Sequence, residues 1–186
     1  MMNALVGKLT RLRYAGLFLA LCIVSATVYA LNTYTVDNKG SKVGFSGEHV
    51  GMKFSGVFEK WQADLVLPPH SNPSITASFD LRSAKTGDFT YDTALLEGDW
   101  FDVKNHPQGS FVSDSVEIID GGFKVSGQLT LRGFSKTQTF FLKQTGNKLS
   151  ANFAINRLDY RIGYDSDPEA EWVGQDIMMI LDLETQ

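Results

Sequence analysis

The sequence predicts an all-β protein in which eight antiparallel strands follow one another in up-and-down order and close into a barrel, with one short helix in a long connecting loop. Three observations carry this reading. Apolar and polar residues alternate with a period of two through most of residues 42–184, the signature of strands buried on one face. Turn-forming dipeptides separate the alternating runs. Many of the 12 Phe residues beyond position 30 fall on the apolar phase.

The first thirty residues read differently from the rest. Lys8, Arg11 and Arg13 precede an apolar run from Ala15 to Val24, and small residues lead to Val28-Tyr29-Ala30. This is the pattern of a secretory signal peptide, with cleavage after Ala30 or after Ala26. The apolar run is shorter than the ~20 residues a spanning helix needs. Residues 1–30 are therefore expected to be removed on export, and 31–186 to form a single barrel domain. That remainder holds 14 basic and 21 acidic residues, a net charge of −7, and no Cys, because Cys22 leaves with the leader. No disulfide or haem thioether is then available, and no basic footprint for nucleic acid exists. At about 150 residues the domain is large enough to be held by its core alone.

The strands follow in order. Weaker alternation marks about 42–50 and 53–67. Ile75, Ala77, Phe79 and Leu81 then oppose Ser74, Thr76, Ser78 and Asp80. The stretch 83–108 is the long connection, with the helix expected at about Thr93 to Glu97. A strand at about 109–119 leads through Asp120-Gly121-Gly122, a strong hairpin signal, into the clearest strand, where Phe123, Val125, Gly127, Leu129 and Leu131 alternate with polar residues. Another strand at about 135–145 turns at Gly146-Asn147 into Leu149, Ala151, Phe153 and Ile155, and the last contains Ile177, Met179, Leu181 and Leu183. Short hairpins make sequential strands neighbours, which favours closure over a Greek-key sandwich with its long crossings. An eight-stranded barrel either fills with side chains or holds one small ligand.

No catalytic pattern is present. The sequence has no GxSxG elbow, no HExxH and no glycine-rich phosphate loop, and acid pairs such as Asp99 with Asp102 sit in a loop where carboxylates ordinarily cap helices or face water. His49, His70 and His106 lie in separate segments without metal-ligand spacing. His49 shares the apolar phase with Val43, Phe45 and Gly47, so it is either a hydrogen-bonded core residue or a polar contact inside a ligand cavity. Phe45, Phe54, Phe58, Phe79, Phe111, Phe123 and Phe153 are expected to point inward, where rigid rings either fill the barrel or wall a tunnel. Tyr91, Trp100, Tyr160, Tyr164 and Trp172 lie in the two long loops and are expected to be exposed there, able to contact a partner.

Several segments taken together resemble the YceI-like family of periplasmic lipid-binding proteins over about 33–184: His49-Val50-Gly51, Gly56-Val57-Phe58, Gly98-Asp99-Trp100-Phe101-Asp102-Val103 with Pro107, Phe111-Val112-Ser113, Val125 through Gly133, and Trp172-Val173-Gly174-Gln175-Asp176-Ile177. The resemblance implies a lipocalin-like barrel whose interior tunnel binds a polyisoprenoid chain, such as the tail of an isoprenoid quinone, without catalysis and without a further cofactor. It also implies a bacterial periplasmic location. It adds Trp100 to the inward Phe residues and His49 as candidate ligand contacts. Residues 156–163 look like a subgroup found near membrane cytochromes of the b561 type, which names such a cytochrome as a candidate partner. The alternative is an interaction protein whose barrel is filled and whose long loops contact that membrane redox partner. Oligomeric state is left open, a homodimer included.

Overall fold

A computed structural model describes residues 33–37 and 39–185. The expected signal peptide lies outside them.

The chain forms β1 (Thr33–Thr35), β2 (Lys42–His49), β3 (Met52–Phe58), β4 (Trp61–Val66), β5 (Ser74–Asp80), β6 (Ala84–Lys85), α1 (Phe89–Ala94), β7 (Gln108–Ile119), β8 (Gly122–Leu131), β9 (Phe134–Thr145), β10 (Lys148–Asn156) and β11 (Asp176–Glu184). Two 3-10 turns, Leu81–Ser83 and Arg157–Tyr160, follow β5 and β10. All described pairings are antiparallel. The order β1-β4-β5-β7-β8-β9-β10-β11-β2-β3-β6 makes one sheet. The two arms at either end of its long ladder, β3 and β4, are consecutive in the chain, so the sheet curls back toward its own start. Glu59 N–H donates to Ser83 O and Asp80 N–H to Lys60 O along that seam. At the far end, a bridge between Val36 and Thr185 ties the N-terminal segment to the end of β11.

The expected up-and-down barrel is present, with differences in detail. The run expected as one strand at 53–67 is two, β3 and β4, broken at the exposed pair Glu59-Lys60. The reason is a change of phase. Gly56 and Phe58 are buried on even positions, whereas Leu65 and Leu67 are buried on odd ones, and a strand cannot switch faces without a break. The short β1 and β6 carry too few residues to show a period. The helix starts at Phe89, not at Thr93, because Asp88 is its N-cap and accepts from the N–H groups of Thr90 and Tyr91 at 2.8 and 3.1 Å.

Period two then does what it predicts. In β8, Phe123, Val125, Leu129 and Leu131 are all buried while Lys124 faces solvent. The inward rings form two rows of contacts: Phe45 to Phe58 at 5.2 Å and Phe58 to Phe79 at 4.9 Å in one, Phe111 to Phe140 at 5.5 Å and Phe140 stacked on Phe153 at 4.4 Å in the other. Each such pair adds ~0.5–1.5 kcal/mol beyond the area it buries. One inward position has to be Gly. A Cβ on Gly127 would lie 2.6 Å from the Phe111 ring and from the Ser113 Cα, and closer still to the Val112 carbonyl. Gly127→Ala is therefore expected to force β7 and β8 apart and to lower stability by about 1–3 kcal/mol, read as a lower urea midpoint.

Candidate functional site

The interior is not filled. Three apolar voids follow one another along the barrel, of about 250, 50 and 80 Å³ from the end near His49 inward. The outermost and middle voids share Phe54, Leu95, Trp100 and Val173 as walls. Met179 separates the middle void from the innermost one. The arrangement is a tunnel divided by side chains rather than by backbone.

The outer void opens beneath α1, which is held over it by local chemistry. Asp92 accepts from Thr86 N–H at 2.6 Å and Thr86 Oγ1 at 2.8 Å and pairs with Lys85 Nζ at 3.5 Å. The Thr86 N–H holds the Asp92 carboxyl below its usual pKa, against the opposing effect of burial. With the helix fixed there, Tyr91, Ala94 and Leu95 at i, i+3 and i+4 share the face toward the void. The Tyr91 hydroxyl and His49 Nδ1 form a hydrogen bond of 2.7 Å, with the rings edge to face at 5.5 Å. Among the described residues the lining of this outer void contains no Lys, Arg, Asp or Glu; its polar side chains are His49, Tyr91, Thr86 and Thr90. Such a lining can hold an apolar chain and offer hydrogen bonds to an uncharged polar end.

The opposite wall comes from the loop between β10 and β11. Arg157, 1 % exposed, donates to Ile162 O at 2.7 Å, Val173 O at 2.8 Å and Asp167 Oδ2 at 2.7 Å. Asp167 accepts in turn from the N–H groups of Glu171 and Val173 at 2.8 and 2.9 Å. This ion pair winds the loop around itself and turns Val173 into the void. The Arg157 guanidinium lies 5.9 Å from the Trp100 ring centre, and each of its nitrogens already donates to the protein. Burial lowers the Arg157 pKa, although its partner carboxylates oppose this.

The residues expected from the sequence are distributed along the tunnel. His49, Phe54 and Trp100 line the outer void; Phe45 and Phe58 join Phe54 and Trp100 around the middle one; Phe79, Phe111 and Phe153 line the innermost. Phe123 borders none of the three. It is buried near the Gly121-Gly122 turn at the far end, where it closes the core. Three aromatics expected on the loop surface are not there. Tyr91 and Trp100 are half-buried walls of the outer void, and Tyr160 is wholly buried, its hydroxyl accepting from Gln138 Nε2 at 2.9 Å. Tyr164 and Trp172 are exposed as expected. Leu95 and Val173 are walls that period two did not single out, whereas Met179 stands on the apolar phase expected of the last strand. The signal for Leu95 and Tyr91 was available in Asp88-Phe89-Thr90, an N-cap that sets which face of α1 turns inward.

The YceI-like domain matches residues 34–185. A UPF0312 protein of Pseudomonas putida is 29 % identical over 133 residues, covering 68 % of this chain and 69 % of that protein. The protein YceI of Escherichia coli is 24 % identical over 185 residues, covering 91 % of this chain and 94 % of that one. Among solved structures, BcnA of Burkholderia cenocepacia superposes with a TM-score of 0.72 at 26 % identity, covering 80 % of this chain and 98 % of that one. A polyisoprenoid binding domain from Saccharophagus degradans shares the fold, with a TM-score of 0.59 at 14 % identity, covering 82 % of this chain and 98 % of that domain. With the barrel, its turns and almost all of its length accounted for by that one domain, the chain belongs to the YceI-like family.

Proposed function

We propose that this protein is a non-catalytic binding protein for a long-chain isoprenoid lipid, an isoprenoid quinone or a neutral polyprenoid, held with its chain along the barrel and its head at His49 and Tyr91. The leader at 1–30 makes the periplasm the proposed place of action. The single observation that carries the reading is the row of three apolar voids leading inward from the His49–Tyr91 pair. The fold likeness to a polyisoprenoid binding domain supports it.

The physics is transfer rather than reaction. Each methylene taken from water contributes roughly 0.8 kcal/mol, so a few isoprene units suffice for tight binding in a partly preformed tunnel. A chain entering must turn Phe54, Leu95, Trp100 and Met179 aside, which are rotations of side chains and not of the sheet. The lining favours an uncharged head. Among the described residues a diphosphate would meet no cation in the lining of the outer void, and Arg157 behind it is already saturated by carbonyls and Asp167. A quinone carbonyl or an alcohol finds hydrogen-bond partners at His49, Tyr91 and the Thr90 hydroxyl, the Thr86 hydroxyl proton being committed to Asp92.

The test is mass spectrometry of lipid co-purifying with the protein after export. A prenyl quinone or prenyl alcohol is expected. Protein that neither carries nor takes up any prenyl lipid would remove this function.

A further inference from the structure

Beyond the lipid-holding reading, on which it builds, we propose that the end of the barrel around His49 is a docking collar for the surface of a phospholipid bilayer, so that the ligand passes between membrane and tunnel without crossing water.

Six of the exposed large apolar or aromatic residues gather at this end: Val50, Met52, Phe89, Trp172, Phe134 and Tyr164. Each stands on a turn, a helix start, a strand end or a loop, not on one flat face. Val50 and Met52 flank the turn after His49, Phe89 begins α1, and Trp172 precedes Val173, whose neighbour across an isolated bridge is His49. Separate protruding tips suit shallow insertion into a fluid headgroup layer, whereas a protein partner wants a continuous complementary surface.

The tips are presented rather than left loose. The Trp172 carbonyl accepts from Val50 N–H at 2.7 Å, and Trp172 N–H donates to the Asp167 carboxylate, yet the indole remains 58 % exposed. Val50 holds a left-handed backbone, φ 49°, an unusual conformation for a β-branched residue, while 64 % exposed. The buried Arg157–Asp167 pair thus fixes an exposed Trp next to the tunnel mouth.

A cation stands among these tips. The exposed Arg161 lies 5.8 Å from the Phe134 ring centre and 5.2 Å from that of Tyr164. A guanidinium flanked by aromatic rings is the combination found where a protein meets lipid headgroups, the rings at the interface and the cation at the phosphates. The domain as a whole is acidic, and exposed Glu48, Asp88, Asp165 and Glu171 adjoin the tips, so attachment rests on the apolar tips rather than on attraction to anionic lipid.

The experiment uses residues 31–186, which form a compact unit and lack the apolar leader that would bind vesicles by itself. Flotation with phosphatidylcholine vesicles is compared for this protein, for Met52→Ser/Trp172→Ser, and for Ile118→Ser/Phe141→Ser, a control pair of exposed apolar residues toward the opposite end. The unaltered protein is expected to float with vesicles. The collar variant should lose about tenfold in partitioning and slow the movement of a prenyl quinone between vesicles, and the far-end control should lose neither. All three should bind a short-chain quinone in free solution equally.

Absence of vesicle binding by the unaltered protein, or an equal loss in the far-end control, overturns the collar. So does a dimer in sedimentation that the collar variant abolishes, since a second copy of the chain would then be what covers it. Failure of all three proteins to bind the short quinone counts against the lipid pocket and not against docking, which flotation decides separately.

Discussion

An Ala94→Trp protein should fold and yet bind prenyl lipid at least about a hundredfold more weakly, because excluding only four methylenes at roughly 0.8 kcal/mol each already gives that factor. Ala94 ends α1 on the face toward the outer void, and the space before it is about 250 Å³. An indole built there enters empty volume instead of displacing packed neighbours. The cost in stability should therefore stay below about 1.5 kcal/mol, where an equal enlargement in a filled core would cost more. Equilibrium binding of a prenyl quinone, followed by extraction and mass spectrometry, measures the loss, and circular dichroism melting checks the fold. Binding that survives with the melting unchanged would show that the ligand does not enter beneath α1.

Asp167→Asn should be among the most damaging single changes to stability, at about 3–5 kcal/mol, because it leaves a buried guanidinium without its counter-charge. Arg157 is 1 % exposed and Asp167 4 %, so neither can turn to water without unwinding the loop. The variant keeps an oxygen for the Glu171 N–H but loses the charge facing Arg157 Nη2 at 2.7 Å. Urea unfolding of residues 31–186 reads the effect. The same pair sets an acid limit. Burial by itself raises the Asp167 pKa, but the N–H groups of Val173, Trp172 and Glu171 and the charge of Arg157 outweigh it and hold the carboxyl below its usual value. A depressed carboxyl adds stability that is present above its unfolded pKa of about 3.9 and is lost as pH falls through the lower folded value. Asp99, held down by the Ser166 hydroxyl and the N–H groups of Asp165 and Ser166 against the opposing effect of burial, acts in the same direction. Stability should thus fall steeply below about pH 4 in the unaltered protein and more gently in Asp167→Asn.

Much of the barrel was legible in the sequence because a strand's side chains strictly alternate. Phe45, Phe79, Phe111 and Phe153 could be assigned inward on that rule alone, and the hairpins at Gly121-Gly122 and Gly146-Asn147 ordered the strands that carry two of them, Phe111 and Phe153. The break at Glu59-Lys60 was legible too, as the change from even to odd burial, but only to a reader who tracked phase through the run. The tunnel mouth was harder. Tyr91 sits in a loop by composition and inside a cavity in space, and what moves it there is a helix cap five residues before the expected start. Arg157 and Asp167 are ten residues apart in a polar loop, where a charged pair ordinarily faces water. Nothing local shows that one loop would close around both.

The sequence by itself determined most of the strands, the hairpin order of β7 to β10 and the inward phase of the Phe rings named on the strands, since these follow from alternation and turn chemistry within a few neighbouring residues. Only the tertiary structure decided where along the axis each inward ring falls, and so whether it closes the core, as Phe123 does, or walls empty space, as Phe54 and Trp100 do. Inward phase fixes a direction, whereas a void is the volume left when side chains from β2, β3, α1 and the loop after β10 converge, and that difference of volumes is a property of no single segment.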